Sequence, residues 1–219
     1  SNPEVAAYID AENAYTDAVM KPTEPFQKKL YQEMLGRIKE TDLSVPQRDH
    51  GFYYYYRTEQ GKQYPTICRK KESLDAPELI TLDPNELGKG YKFFAVSSHA
   101  VSDDGQLLAY TVDTTGFRQF TLSVKDLDTG QLLPDHAEKV GAVVWASDNQ
   151  RFFYTVEDDA KRQYRLYRHR LGSTDDEVVY EEEDEKFELS ATRSRSREYI
   201  FLSSSSQTAA EVRYLRADL

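Results

Sequence analysis

The chain has 219 residues, enough for one or two domains with a sizeable core. Its formal net charge of −10 argues against nucleic acid as a partner and weakly favours cationic ligands. One cysteine excludes an internal disulfide and predicts a reducing, cytoplasmic location, and no apolar run reaches membrane-spanning length.

Residues 3 to about 40 are predicted to be helical. Pro3 suits a first helical position, with Asn2 before it as the N-cap residue. Apolar residues then recur at helical spacing in two stripes, which Pro22 and Pro25 separate. Both stripes are predicted to be packing surfaces, and they consist of Val5, Tyr8, Ile9, Ala11 and Tyr15, then Phe26, Leu30, Met34, Leu35 and Ile38.

The apolar pattern changes from helical to strand-like spacing at Ser44-Val45-Pro46. Pro46 cannot continue a helix, so it marks a boundary between a helical leader, residues 1–45, and a β region, residues 46–219. From His50 onward only strand and turn signals are present. Glu78–Leu82 is predicted to be a strand. Residues 83–85 and 88–90 are predicted to form a longer connection after it.

A strand–turn–strand unit around residues 101–130 recurs along the chain. Tyr154 follows Tyr110, and Leu166 follows Leu122, by 44 residues in each case. A third copy lies around residues 199–215, and a divergent earlier copy around residues 52–68. A period of about 40–50 residues with four strands per unit is typical of β-propeller blades.

The predicted fold is therefore mainly β: a partial β-propeller of three to four blades, preceded by two N-terminal α-helices. The blades are predicted at about residues 46–92, 93–137, 138–185 and 186–219. Residues 93–96 and 140–145 are expected to be inner strands, and residues 178–180 an outer strand. So few blades indicate a piece of a larger protein, and its open sheet edges are expected to drive self-association.

No residue is predicted to be catalytic, to bind a cofactor or to bind a metal. The histidines, His50, His99, His136 and His169, fit no metal-ligand spacing and are expected at the surface or in blade packing. Cys68 follows Ile67 in a strand and is expected to be a small buried residue rather than a nucleophile.

Charged runs have alternative interpretations. The acidic run at residues 181–185 is expected to be a solvated loop, and the alternative is attraction of a basic peptide. Asp103-Asp104-Gly105 resembles part of a calcium loop but lacks the later ligands, so a plain turn is expected. Arg193, Arg195 and Arg197 alternate, so they share one face; solvent exposure is expected, and the alternative is a position facing a tunnel or another domain.

Two further runs have predicted positions. The tyrosines at positions 53 to 56 alternate between strand faces, so two should be buried and two exposed. Residues 203–206 are four consecutive serines and are predicted to lie in a blade turn.

Several segments resemble the prolyl oligopeptidase family of serine peptidases, and within it the oligopeptidase B branch. The longest is the helical run at residues 2–15. The others are residues 35–40, 44–46, 53–58, 61–65, 110–116 and 144–148, which keep the family's order over nearly the whole chain. The resemblance implies a seven-bladed propeller that caps an α/β-hydrolase domain and admits only short peptides. It also implies cleavage after Arg or Lys and, as partners, short basic peptides and a C-terminal hydrolase domain.

No Gly-x-Ser-x-Gly nucleophile elbow occurs in the sequence. The catalytic domain and about half of the propeller are thus expected to lie outside this chain, which should be inactive alone. The favoured hypothesis is the N-terminal, gating region of a serine oligopeptidase. The alternative is a non-enzymatic propeller module for binding or scaffolding, because the fold alone does not choose a function.

Overall fold

A computed structural model describes residues 2–218, which divide into two compact units between Asp42 and Leu43. The domain limits predicted from the sequence stay predictions. No helix in the described part of the chain is both long enough and apolar enough to cross a membrane.

The first unit contains α1 (Pro3–Met20), a 3-10 turn (Lys21–Thr23) and α2 (Glu24–Leu35). The side chain of Asn2 caps α1 as predicted, because its Oδ1 accepts from the amide of Glu4 at 3.0 Å. The predicted continuation to residue 40 is wrong: α2 ends at Leu35, before Gly36. Glycine is a poor helix former, and no buried side chain on α2 offsets that cost.

The second unit is built from four sheets. The first contains β1 (Asp42–Leu43), whose two residues flank the unit boundary, and then β2 (Gln47–Asp49), β3 (Phe52–Thr58), β4 (Thr66–Lys71) and β5 (Glu78–Leu82). The second contains β6 (Ala95–Val101), β7 (Leu107–Asp113), β8 (Thr121–Asp126) and β9 (Leu132–Ala137). The third contains β10 (Val140–Trp145), β11 (Arg151–Glu157), β12 (Gln163–Arg170) and β13 (Glu177–Glu181). The fourth contains β14 (Glu188–Arg193), β15 (Tyr199–Ser205) and β16 (Ala210–Arg216).

Within each sheet the strands pair in chain order, apart from β1 and β2, which both pair with β3. The 44-residue repeat corresponds to the step from one sheet to the next, because β7 and β11 are the second strands of adjacent sheets. Tyr110 of β7 and Tyr154 of β11 occupy equivalent positions in the repeat, and both are buried. The predicted mainly β architecture behind two N-terminal helices is confirmed.

The hydrophobic cores lie between neighbouring sheets. The first and second sheets meet at Ile67, Leu82, Leu108 and Tyr110. The second and third meet at Ala109, Leu122, Val124, Val140, Val143, Trp145, Phe152 and Tyr154. The third and fourth meet at Val144, Ala146, Phe153, Leu166, Leu189, Ala191, Ile200, Leu202 and Ala217. Each sheet therefore packs against the next one along the chain, and these apolar contacts hold the four sheets in chain order.

Polar contacts also join neighbouring sheets. The indole Nε1 of Trp145 donates to the carbonyl of Ala100 at 2.9 Å. The guanidinium of Arg69 donates to the carbonyl of Gly105 at 2.6 Å and lies 4.3 Å from the ring centre of Phe52. These contacts satisfy polar groups that the packing of the sheets has removed from water.

Two predictions about connections are wrong. Residues 83–85 do not form a plain loop, because α3 (Pro84–Leu87) is a single helical turn capped by Asp83. Asp83 and Pro84 together supply a helix start signal. The serine run lies mostly in β15, not in a turn. The side chain of Ser204 is buried there and donates to Glu182 at 2.6 Å, so the strand alternation continues through the serines.

Candidate functional site

The inner edges of the four sheets border one cleft of about 1090 Å³. The first sheet contributes β2 and its flanking residues, and the other sheets contribute β6, β10 and β14, the first strand of each. Most lining residues fall within segments 44–50, 54–56, 99–101, 143–145 and 191–197, and Ile67 of β4 and Thr81 of β5 complete the lining. Because every sheet supplies its innermost strand, the cleft lies where a propeller has its central channel.

A cluster of ion pairs lies beside the cleft, where β14 ends. Arg193 and Asp103 form a two-pronged pair, with N···O distances of 2.8 and 2.9 Å. Arg197 pairs with Asp103 and also with Asp49. We call these four residues the ion-pair cluster. A further N–H of Arg193 donates to the hydroxyl of Ser147 at 3.1 Å.

The ion-pair cluster joins the first, second and fourth sheets, and the hydrogen bond of Arg193 to Ser147 adds the third. Asp49 ends β2 in the first sheet, Asp103 lies in the β6–β7 turn, and Ser147 lies in the β10–β11 turn. Arg193 is the last residue of β14, and Arg197 lies in the turn to β15 with a positive φ of 64°. That left-handed conformation is uncommon for a non-glycine residue, and here the ion pairs of Arg197 accompany it.

The electrostatics of the cluster favour ionised carboxylates. Burial acts to raise the pKa of Asp103, but the hydrogen bonds and positive charges of Arg193 and Arg197 outweigh burial and lower it. The carboxylate of Asp103 therefore stays charged at neutral pH, and the pairing between the sheets persists.

The arginine prediction is partly wrong. Arg195 is exposed as expected, but Arg193 and Arg197 are half-buried and paired. All three line the cleft, so the alternative of a position facing a tunnel is the one that the structure supports. The alternation of the three arginines predicts that their side chains share one face of the strand. It does not predict which residues of another sheet lie opposite that face.

Three residues of the tyrosine run, Tyr54, Tyr55 and Tyr56, line the cleft. Of these residues only Tyr55 is buried, and its hydroxyl donates to Glu78 at 2.5 Å. Tyr53 and Tyr54 are half-buried and Tyr56 is exposed, so the prediction of two buried and two exposed rings is only partly confirmed. Burial raises the pKa of Tyr54, although a hydrogen bond with Arg69 opposes that shift.

The histidines fall at four separate places. His99 lines the cleft beside Tyr56, 3.4 Å from its hydroxyl, and burial lowers its pKa. His50 also lines the cleft, and His136 is exposed. Among residues 2–218, no group of three or more His, Cys, Asp or Glu side chains could hold a metal ion.

His169 belongs to a buried network that sequence reasoning missed. Its Nε2 lies 2.7 Å from Asp135 of β9, and its Nδ1 lies 2.5 Å from Asp176. Asp135 also accepts from the amide of Gly172 at 2.5 Å, and Tyr154 donates to Asp176. The expectation of blade packing for His169 is confirmed, and this network joins the second sheet to the third. A histidine flanked by arginines in a strand was its only sequence signal.

The remaining candidates behave as expected, with one exception. Cys68 is fully buried, and burial raises the pKa of its thiol, which disfavours a nucleophilic role. Asp103, Asp104 and Gly105 form a turn. The acidic run at 181–185 is mostly exposed, but its first residue, Glu181, ends β13 rather than lying in a loop. Glu182 is partly buried, and a hydrogen bond from Ser204 lowers the pKa of its carboxyl group.

Residues 1–218 match the model of one protein family, described as the prolyl oligopeptidase N-terminal β-propeller domain. The chain belongs to this family. The partial β-propeller predicted from the sequence is thereby confirmed, with the inner strands of this propeller domain bordering the cleft.

Several relatives of this propeller domain are known. It is 42% identical to "Dipeptidyl aminopeptidase BI" of Pseudoxanthomonas mexicana, over 97% of this chain and 32% of that protein. It is 35% identical to "Protease 2" of Moraxella lacunata, over 99% of this chain and 33% of that protein. Oligopeptidase B from Leishmania major superposes with a TM-score of 0.88 at 25% identity, over 99% of this chain and 31% of that one. The chain thus spans about a third of the length of these relatives.

Proposed function

We propose that this chain is the access-controlling propeller region of a longer serine peptidase. The cleft would form part of the passage by which short peptides reach an α/β-hydrolase active site outside residues 2–218. The observation that carries the proposal is the convergence of the inner strands of all four sheets on one cleft, in a chain of the prolyl oligopeptidase propeller family.

The size and walls of the cleft suit this role. Its volume of about 1090 Å³ is slightly above the range for small-ligand sites, about 300–1000 Å³, and accommodates a short peptide rather than a folded domain. The ion-pair cluster and the hydrophobic layers between sheets hold the walls in place, so a folded protein could not enter by spreading them.

The proposed chemistry belongs to the longer protein. A serine would attack the scissile carbonyl, with histidine as general base and aspartate orienting it, and an acyl-enzyme would then be hydrolysed. The chain carries no Gly-x-Ser-x-Gly motif, so it should not turn over peptides by itself. Cleavage after Arg or Lys is supported by the sequence resemblance to the oligopeptidase B branch and by the structural neighbours of that name.

A second candidate activity is release of dipeptides from a free N-terminus. It is supported by the 42% identity with the relative named "Dipeptidyl aminopeptidase BI". The two candidates share the propeller and the acyl-enzyme chemistry and differ in whether a substrate with a blocked N-terminus is accepted.

The apolar stripes of α1 and α2 are proposed to pack on the hydrolase domain. No described residue of either helix is buried, and all stripe residues except the partly buried Leu35 are exposed. The cytoplasmic location inferred from the single cysteine stays a prediction.

One set of assays tests these proposals. The longer protein and this chain alone are incubated with a short peptide carrying one internal arginine, in N-acetylated and free forms, and with a long unfolded protein such as casein. We expect no turnover by the chain alone, and at least about tenfold faster cleavage of the short peptide than of casein by the longer protein.

The outcomes separate the alternatives. Cleavage of the acetylated peptide supports endopeptidase activity, whereas cleavage of the free form alone supports dipeptide release. Turnover by the isolated chain, or casein cleavage as fast as peptide cleavage, would overturn the gating proposal. A longer protein without any peptidase activity would support the non-enzymatic module.

A further inference from the structure

The cleft differs in charge from the rest of the chain. The whole chain carries a formal charge of −10, yet four arginines line the cleft. Two of them, Arg193 and Arg197, are balanced by the two aspartates of the ion-pair cluster. The other two, Arg48 and Arg195, are exposed and form no ion pair in the part of the chain that the structure describes. The cleft therefore carries two guanidinium groups whose charge is not balanced by a carboxylate.

We infer that the cleft binds carboxylate groups of peptides through Arg48 and Arg195. This inference rests on the proposed function, in which peptides pass through the cleft. It names the chemical feature that the cleft would select: a negative charge on the peptide, either its C-terminal carboxylate or an acidic side chain.

The ion-pair cluster shows how a carboxylate is bound beside the cleft. Asp103 accepts from both terminal nitrogens of Arg193, which is the two-pronged geometry that guanidinium and carboxylate groups favour. A peptide carboxylate next to Arg48 or Arg195 would find the same chemistry without displacing Asp103. Both free side chains are exposed, so binding them removes little hydration, and the interaction should weaken as salt screens it.

Selection of anions also follows from the field of the cleft. A concave site whose unpaired charges are all of one sign concentrates ligands of the opposite sign, even in a protein of the same overall sign as the ligand. Peptides with a free carboxylate would thus be held in the cleft, with the negative end directed toward the arginines.

Trp145 provides a built-in reporter, because it is the single tryptophan and lines the cleft. The chain is titrated at low salt with three probes, and the tryptophan emission is recorded. The probes are N-acetylated trialanine with a free C-terminus, the C-terminal amide of that peptide, and the amide with aspartate at its centre. We expect the free acid to bind about tenfold more tightly than the neutral amide, equivalent to about 1.4 kcal/mol. The third probe tells whether a side-chain carboxylate is an equivalent ligand.

Three variants assign the effect. Arg48→Gln and Arg195→Gln should each reduce the preference for the free acid about threefold or more. The matched control is Arg170→Gln, which removes the charge of an exposed arginine outside the cleft and should leave the preference unchanged. Circular dichroism confirms that each variant is folded, which is expected because these side chains form no ion pair among the described residues.

Equal affinity for all three probes would overturn the inference, as would an equal loss of preference in Arg170→Gln. Either result leaves the proposed function intact if the longer protein still discriminates peptides by length. Conversely, a carboxylate preference in this chain combined with no length discrimination in the longer protein would overturn the gating proposal and retain the binding site.

Discussion

The ion-pair cluster allows a quantitative prediction for Asp103→Asn. Asp103 accepts three guanidinium N–H bonds, two from Arg193 and one from Arg197. The side chains of Asp103 and Arg193 are only 18% and 13% exposed, so solvent screens this pair less than a surface pair. A net charged hydrogen bond contributes about 1.5–3 kcal/mol, and asparagine retains one acceptor while Arg197 retains Asp49. We therefore expect a loss of about 2–3 kcal/mol in the free energy of unfolding.

Urea denaturation monitored by the fluorescence of Trp145 measures this loss at pH 7. Asp128→Asn is the matched control, because Asp128 is an exposed turn residue of the same sheet and should change stability by less than about 0.5 kcal/mol. The pKa of Asp103 is lowered in the folded state, so its stabilisation is present at neutral pH and disappears as the pH falls through that lowered value. The difference between wild type and Asp103→Asn should thus shrink below about pH 4. A loss no larger than that of the control, or one independent of pH down to unfolding, would refute the reasoning.

Further predictions concern packing, the buried network and association. In urea denaturation, Gly105→Ala should lower the free energy of unfolding by at least about 2 kcal/mol more than Gly130→Ala does. Both glycines have a positive φ, so the backbone strain is similar. An added Cβ at Gly105 would lie 2.6 Å from the Phe52 ring, whereas nothing lies within 4 Å of a Cβ at Gly130. Equal losses would contradict the packing argument. His169→Gln should cost about 3 kcal/mol, because Asp135 and Asp176 each lose one of their hydrogen-bond partners. The exposed His136→Gln should be near neutral, and similar values for both variants would show that the network is not stabilising. One edge of β16 has no partner strand among residues 2–218, so it should promote concentration-dependent association. A single monomeric species in sedimentation velocity at about 100 μM would contradict this.

The sheets could be predicted from the sequence because their determinants are local. Alternation of apolar residues and the turn signals identified Glu78–Leu82 and Val140–Trp145 with their observed limits. The 44-residue repeat related Tyr110 to Tyr154, which are buried at equivalent positions of adjacent sheets. The turn of α3 was missed although Asp83-Pro84 is a recognised start signal, since a single turn has no periodicity to detect.

The ion-pair cluster could not be predicted because its residues meet only when the sheets pack. Arg193 is 90 residues from Asp103, and Arg197 is 148 residues from Asp49. The alternation of the three arginines shows that they share a face. Which turn lies opposite that face depends on how the sheets are arranged in space, which the alternation does not reveal. The same reason applies to His169 and Asp135, which belong to different sheets.

The strand order has a consequence for how the chain folds. Each sheet pairs strands in chain order, so most backbone contacts within a sheet close short loops and are formed quickly. A folded sheet still exposes one apolar face until the next sheet docks, as in repeat proteins whose units are stable only beside a neighbour. The sheets are therefore expected to fold and dock one after another, from the first to the fourth, in the direction of synthesis on the ribosome. Burial of Trp145 against Ala100 would then mark the moment when the third sheet joins the second.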